Sequence, residues 1–407
     1  MNNFMVYLPS LLTRYSIQLM VIALPWILQS KTIDLASISM TLGIFYVASI
    51  LVGIKSLSFI HRMNIRKTLI LTIFIQAIAS ALCFFTTDLL YLSFLRAIQG
   101  GSTGLLRPLN QIWLINFYHN DECPNSRAKR ATFGQVYVAI GMALGSFLGS
   151  LVIEFVHPQL FGTVICLLPS FACIYFLPKE KISINTLPAI ESLPNFSKTK
   201  AWFLKDYNIM KVFLYYLLSL VIFKIWIVEL PFTIRSDSSL IDPKVLILTL
   251  TLHPLLFSFS QLLIGIFLNR INTKNETSSL IVGLSTMLQG ILIYCTLFTT
   301  SPLLFSILLL AGGAILPAFI YPFLSKVIMQ SLKGEIEIVK RNAMVLLSLS
   351  ADIGQVIGSL LLMISFHSGP MVQMLFPVSL ILFIFFINFF MSTMAKTRKE
   401  RKWKTIS

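Results

Sequence analysis

Long apolar runs constrain this chain more than any other feature. A helix needs about 20 apolar residues to cross the hydrocarbon layer of a bilayer. The runs lack the period-two alternation of lipid-facing strands, which excludes a β-barrel. We therefore predict an all-α membrane protein with twelve transmembrane helices. They lie near residues 4 to 30, 35 to 59, 68 to 87, 90 to 115, 132 to 155, 159 to 177, 209 to 233, 244 to 268, 278 to 299, 302 to 328, 343 to 366 and 370 to 393.

The second half of the chain repeats features of the first. Residues 145–151 and 354–360 share two glycines, a serine and a leucine, at an offset of about 209 positions. A basic segment at 61–66 recurs at 269–274 with nearly the same offset. Duplicated halves in so hydrophobic a chain are typical of secondary transporters, whose substrate site lies between the repeats near the bilayer midplane. We expect two pseudo-symmetric six-helix bundles.

The longest polar stretch separates the two predicted bundles. It contains Pro178, Pro188, Pro194 and several lysines, a composition typical of a cytoplasmic segment with little fixed structure. The predicted division has four parts. These are an N-terminal six-helix bundle at 1–177, a cytoplasmic interdomain linker at 178–208, a C-terminal six-helix bundle at 209–393 and a basic cytoplasmic tail at 394–407.

The net charge of +16 could indicate a nucleic-acid partner, so the position of the basic residues matters. With the amino terminus in the cytoplasm, most of them fall on the cytoplasmic side, and only Lys31, Arg235 and Lys244 fall outside. This asymmetry follows the positive-inside rule. The charge therefore indicates topology and not nucleic-acid binding. We predict a multi-pass protein of the inner (plasma) membrane with both termini cytoplasmic.

Motifs of enzymes and metal sites are missing from the sequence. There is no phosphate-binding G-x-x-x-x-G-K loop, no H-E-x-x-H and no cysteine pair with metal spacing. Four of the five cysteines, Cys83, Cys166, Cys173 and Cys295, lie inside apolar runs. We therefore predict no enzymatic activity, no catalytic residue, no metal and no cofactor, with an ion gradient as the source of energy.

Ionisable residues inside the predicted helices are the first candidates for a functional site. A charge at mid-bilayer costs about 2.5 to 3.5 kcal/mol on insertion scales, so such residues face protein or water and are functional by default. The candidates among them are Arg14, Arg96, Arg107, Lys224, Glu229 and Asp352. The third helix of each three-helix group contains no charge within its predicted run and is expected to face lipid.

Helical spacing places several of these residues on polar faces. Residues three and four apart share a face. Helix 1 has such a stripe at Ser10, Arg14 and Gln18. Helix 4 has a longer one at Arg96, Gln99, Thr103, Arg107 and Asn110. We predict substrate-binding roles for Arg14, Gln18, Arg96, Gln99, Thr103, Arg107 and Lys224. The alternative for Arg96 and Arg107 is that they extend to the headgroups.

The two acidic residues are candidates for proton coupling. Asp352 lies well inside helix 11, and a carboxylate whose surroundings alternate between an arginine and a dry pocket can release and take up a proton. Alternatively, Asp352 is a structural partner of a buried arginine. Glu229, near the outer end of helix 7, is either a second coupling residue or a solvated rim residue. His253 is a packing histidine or a proton relay.

Glycines four apart form small-residue faces on two helices. These are Gly141, Gly145 and Gly149 in helix 5, and Gly354 and Gly358 in helix 11. Such faces let another helix approach closely. We expect a packing role, and their duplication leaves open a second role as a moving interface between the halves.

These residues resemble the major facilitator superfamily over the whole chain. The fourth-helix pattern R-x-x-Q-G of its drug and metabolite exporters occurs as Arg96, Gln99, Gly100, Gly101, Gly104 and Pro108. The loop signature between helices two and three keeps Arg62, Arg66 and Lys67, with His61 in place of the acid and Asn64 in place of the glycine. The fifth-helix antiporter pattern occurs as Gly141, Gly145, Ser146 and Gly149, with Ser146 in place of proline and Ser150 in place of the last glycine.

The resemblance implies a monomeric rocker-switch carrier with a central cavity lined mainly by helices one, four, seven and ten. It also implies gating by Arg62 and Arg66. The charged residues inside the helices leave the central region net positive by about two, which favours an anionic substrate because the substrate would neutralise buried charge.

We therefore expect a proton antiporter that exports a small metabolite or drug, with a carboxylate-rich or siderophore-like anion as the leading substrate class. Its partners would be that molecule, protons and the lipid bilayer. The first alternative is proton-coupled uptake of an organic acid or amino acid. A non-transporting sensor or scaffold is the second, although it would need no buried charged stripe.

Overall fold

The computed structural model describes residues 3–30, 33–59, 64–118, 124–154, 157–177, 203, 207–236, 243–268, 275–296, 298–299, 301–331, 349–361 and 364. These segments are helical with short turns, and they contain no strand. The all-α fold class is confirmed. The predicted twelfth helix, most of the linker and the basic tail lie outside the described residues.

The helices follow the predicted order. The first half contains α1 Asn3–Ser30, α2 Leu35–Phe59, α3 Ile65–Leu82, α4 Leu89–Tyr118, α5 Pro124–Glu154 and α6 Pro158–Phe176. The second half contains α7 Tyr207–Ser236, α8 Pro243–Leu268, α9 Asn275–Thr296, α10 and α11 Leu349–Leu361. Helix α10 runs over Pro302–Leu310, a π-helical turn at Ala311–Ile315, and Leu316–Ser331.

Helix α3 begins and ends earlier than the apolar run indicates. The Asn64 side chain accepts a hydrogen bond from the Lys67 backbone N–H at 3.0 Å and caps the helix. The cap draws Arg66 and Lys67 into the first turn. Asp88 caps α4 similarly, because its carboxylate accepts from the Leu90 N–H at 2.8 Å. Hydropathy alone missed both caps.

Burial separates central from peripheral helices. The most apolar part of α1 is 78% buried, whereas that of α6 is 33% buried. Leu160, Val164, Leu168 and Phe171 are exposed along one face of α6. An apolar stripe of this kind on a membrane helix suits contact with lipid. Helix α6, the third helix of its group, therefore has the lipid-facing surface expected from its lack of charge.

The repeated glycine motif packs one helix tightly within each half. In the first half, a Cβ at Gly145 would lie 2.5 Å from the Tyr15 carbonyl oxygen, so α5 and α1 are nearly in backbone contact. In the second half, a Cβ at Gly358 would lie 2.8 Å from the Lys224 Cβ, which places α11 against α7. The remaining glycines of the motif, Gly141, Gly149 and Gly354, contact the same two helices.

The two halves meet along α2 and α11. A Cβ at Gly43 would lie 3.3 Å from the Ser359 Cβ, and Ser49 bonds to Asp352 further along. A Cβ at Gly53 would lie 4.0 Å from the Leu349 side chain. These contacts run antiparallel along both helices, and we call them the α2/α11 seam. Helix α5 packs on α8 in the corresponding position.

Candidate functional site

Five helices bring polar side chains together beside the α2/α11 seam. Helices α1, α2 and α4 come from the first half, and α7 and α11 from the second. The resemblance implies a cavity lined by helices one, four, seven and ten. Among the described residues, α2 and α11 contribute charged or aromatic groups as well.

One group of side chains forms an ion pair across the halves. Arg107 Nη1 on α4 lies 2.5 Å from Asp352 Oδ2 on α11. The Ser49 hydroxyl on α2 donates to the same oxygen at 3.0 Å. We call Arg107, Asp352 and Ser49 the ion-pair cluster. Arg107 therefore points into the protein and not to the headgroups.

Arg14 adds a further positive charge near this cluster. Its half-buried side chain is within electrostatic range of Arg107 and Asp352. It is also within range of the phenols of Tyr46 and Tyr216. One carboxylate therefore faces two guanidinium groups, and the surroundings of Asp352 are net positive among the described residues.

A second group of side chains combines two cations with two aromatic rings. The Arg96 guanidinium carbon lies 4.6 Å from the Phe45 ring centroid, and Lys224 Nζ lies 4.9 Å from the Tyr46 centroid. The rings are neighbours on α2 and pack edge to face, with centroids 4.9 Å apart. We call Phe45, Tyr46, Arg96 and Lys224 the aromatic cluster. It also crosses between the halves, because Lys224 belongs to α7.

The cations of the aromatic cluster have no acidic partner among the described residues. Lys224 is 1% exposed, and its Nζ makes no hydrogen bond to any part of the chain that the structure describes. Arg96 is also 1% exposed, and its Nε is likewise without a partner there. A cation–π contact is worth about 2 kcal/mol when desolvated, less than burying an unpaired charge costs. The cluster is therefore suited to receive an anion.

Gln99 orients Arg96 instead of facing open space. Its side-chain oxygen accepts from Arg96 Nη1 at 2.5 Å, and its Nε2 donates to the Ser80 hydroxyl at 3.0 Å. Thr103 donates to the Gln99 carbonyl at 2.9 Å and lies 3.4 Å from Gln76 Nε2. Both predicted substrate-binding residues are thus engaged in α3/α4 packing, which favours a positioning role.

Two other members of the polar stripes lie at helix contacts. Asn110 Nδ2 donates to the Thr13 hydroxyl at 3.4 Å and links α4 to α1. Gln18 is half-buried, and its Cβ would lie 3.0 Å from a Cβ at Gly145. Its direct role in substrate binding stays a prediction.

Of the predicted gating arginines, Arg66 has a contact within the first half of the molecule. Arg66 donates to the Leu177 carbonyl from Nε and Nη2 at 3.3 and 3.2 Å, a contact inside the first half. Arg62 and the side chain of Glu229 lie outside the described residues. The glycine motifs also pack within each half, so the seam between the halves is built by other residues.

His253 Nε2 lies 2.7 Å from the Gly313 carbonyl oxygen at the π-helical turn of α10, as a packing histidine would.

Sequence reasoning missed the contribution of α2. Phe45, Tyr46 and Ser49 are uncharged, and a search for charge within apolar runs passes over them. One signal was available, because Tyr46, Ser49 and Gly53 fall three and four apart on one helical face.

The fold and the charged centre together define a class of protein. A helical membrane bundle with a repeated half, and with buried cations where the halves meet, is a secondary transporter. The sequence profile of the Major Facilitator Superfamily matches residues 6–335. The chain belongs to this superfamily and is a multi-pass membrane transporter of small molecules, not an enzyme.

Solved structures show the same fold. The nucleoside transporter NupG has a TM-score of 0.71 and 16% sequence identity, covering 95% of this chain and 98% of its own. A bacterial homologue of the human lysosomal transporter Spinster, crystallised inward-facing and unoccupied, has a TM-score of 0.64 and 15% identity. That comparison covers 88% of this chain and 80% of the homologue. A sequence comparison with curated proteins gives no match.

Proposed function

We propose that this transporter binds a small anion at the aromatic cluster and exports it by proton antiport with alternating access. The absence of an acid beside Arg96 and Lys224 in the described part of the chain supports this proposal most directly. A carboxylate bound there would satisfy both cations at once and offset the cost of burying them. Arg14 would add further positive potential.

The charge balance favours a carboxylate-rich substrate over a lipophilic cation. A siderophore-like metabolite remains our leading class, because several carboxylates could engage Arg14, Arg96 and Lys224 together. Direct charge-assisted hydrogen bonds to arginine are among the strongest that proteins form.

Asp352 is our candidate for proton coupling. Protonation would remove its charge and release Arg107, which would weaken the contact between α4 and α11. In the antiport cycle that we propose, the substrate is carried while Asp352 is ionised and paired with Arg107, and the carrier returns without substrate while Asp352 is protonated. Proton and substrate then cross the membrane in opposite halves of the cycle, which couples their fluxes in opposite directions. Glu229 remains a second candidate.

The proposal also includes the direction of transport and the orientation of the chain in the membrane. The fourth-helix exporter pattern around Arg96 supports export, and the partial fifth-helix antiporter pattern leans the same way. Because Ser146 and Ser150 leave that pattern incomplete, proton-coupled uptake is kept as the alternative. The asymmetric basic residues support an inner-membrane location with cytoplasmic termini. The two-bundle division, with a linker at 178–208, and a monomeric state belong to the same proposal.

Flux into proteoliposomes tests the anion site and its coupling. Radiolabelled citrate is the probe, with and without a pH gradient, and we expect accumulation that depends on the gradient. Arg96→Ala and Arg14→Ala should abolish it while the protein still inserts, because each removes a positive charge at the site. Lys211→Ala is the matched control, since Lys211 lies on the same helix as Lys224 and outside both clusters. Normal flux in both arginine variants would exclude the anion site.

Cells lacking the protein test the direction of transport. A compound that accumulates inside such cells supports export, and lost uptake of an organic acid or amino acid supports the alternative. The compound that accumulates would also identify the substrate.

A further inference from the structure

Tyr46 lies at the centre of the charged groups of the site. Its phenol is within electrostatic range of Arg14, Arg96, Arg107 and Asp352, and its ring contacts the Lys224 ammonium. The side chain is 7% exposed. This one residue of α2 therefore adjoins both the ion-pair cluster and the aromatic cluster.

The ring and the hydroxyl of Tyr46 have different surroundings. The ring packs against Phe45 and under Lys224 Nζ. No hydrogen bond joins the hydroxyl to the described part of the chain, and its oxygen is not completely enclosed by protein. Buried tyrosine hydroxyls usually find a partner. This O–H is therefore a donor with no acceptor in the described part of the chain, and it lies near Lys224 Nζ, which makes no hydrogen bond there either.

We propose that Tyr46 is a specificity-determining residue whose hydroxyl donates a hydrogen bond to the anionic group of the substrate. This inference rests on the anion site of the proposed function. The ring holds Lys224 in position from across the interface between the halves. The hydroxyl adds a directed contact that a point charge such as an ammonium does not provide. An anion that presents an acceptor to both Lys224 and Tyr46 is therefore selected over one that reaches Lys224 alone.

Two substitutions separate the ring from the hydroxyl. Tyr46→Phe keeps the cation–π surface for Lys224 and removes only the donor. Tyr46→Leu removes both. Tyr294→Phe is the matched control, because Tyr294 packs edge to face on Phe298 near the end of α9 and belongs to neither cluster.

Thermal unfolding of the purified full-length protein, titrated with citrate, measures the contact. A hydrogen bond to a charged group is worth about 1.5 to 3 kcal/mol, so we expect Tyr46→Phe to weaken citrate binding about tenfold to a hundredfold. We expect Tyr46→Leu to weaken it further. The melting temperature of ligand-free Tyr46→Phe should equal that of the wild type, and Tyr294→Phe should match the wild type throughout.

The outcomes distinguish this inference from the proposed function. Wild-type citrate affinity in Tyr46→Phe would contradict the role of the hydroxyl without contradicting the anion site. A lower melting temperature of ligand-free Tyr46→Phe would show that the hydroxyl stabilises the folded protein, and it would also contradict the proposed contact with the substrate. If citrate, benzoate and inorganic phosphate all fail to stabilise the wild type, the anion site itself fails.

Discussion

The ion-pair cluster and the aromatic cluster both join the halves of the molecule, but they treat charge differently. In the first, Arg107 lies against Asp352, so each ion has a partner. In the second, Lys224 and Arg96 lie on aromatic rings and have no acid beside them in the described chain. The charges of Arg107 and Asp352 balance each other without a ligand, although Arg107 Nε and Asp352 Oδ1 make no hydrogen bond within the described chain. The cations of the aromatic cluster have no such balancing charge there, and we propose that a ligand supplies it.

This difference determines how each cluster responds to loss of a charge. Removing one ion of a buried pair leaves the other uncompensated, which is strongly destabilising. Removing a buried cation that has no partner removes the desolvation cost of burying its charge. The two clusters should therefore respond with opposite signs in stability, although we propose that both are needed for transport.

A covalent link at the seam gives the largest expected effect, complete loss of transport. Gly43→Cys with Ser359→Cys would place two Cβ atoms about as close as a disulfide requires. In the alternating access that we propose, the halves move at both clusters, so oxidation should stop citrate flux and a reducing agent should restore it. Each single cysteine variant is a control. Full flux in the oxidised, crosslinked double variant would show that the seam does not move.

Substitution of Asp352 should give the next largest effect. Asp352→Asn removes the charge that balances Arg107, and we expect a loss of about 3 to 5 kcal/mol of stability together with the loss of proton-driven flux. Thermal unfolding in detergent and flux under a pH gradient measure the two effects. Removing both ions with Arg107→Met and Asp352→Ala should restore much of the stability but no coupling. A melting temperature unchanged by Asp352→Asn would contradict the structural role of the pair.

Substitution of Lys224 should give the smallest effect on stability, and it should have the opposite sign. Lys224→Met keeps the length of the side chain and removes a buried charge without an acidic partner, so we expect stabilisation of about 1 to 2 kcal/mol and loss of citrate binding. Lys211→Met on the same helix should change neither quantity. Destabilisation by Lys224→Met would mean that the ammonium has a partner that holds the fold, and the contrast between the clusters would fail.

Local sequence patterns singled out the charged residues that the structure brings together. Arg96 and Arg107 stood out because they share a polar face of an apolar helix, and Lys224 stood out because of its depth. Helix boundaries were less well predicted, because caps such as Asn64 extend a helix beyond its apolar run. Tyr46 and Ser49 were missed because their importance comes from the charges opposite them and not from their own chemistry.

The sequence by itself determined the helices, the repeated halves and the set of charges placed inside the membrane, because hydropathy and helical periodicity act over a few residues. Only the tertiary structure decided which charges are neutralised. Ser49 and Asp352 are 303 positions apart, and their contact depends on how whole helices pack. Coulomb energies change steeply over a few ångströms in a low-dielectric interior. The packing of α4 against α11 therefore gives Arg107 an acid, while that of α7 against α2 gives Lys224 an aromatic ring.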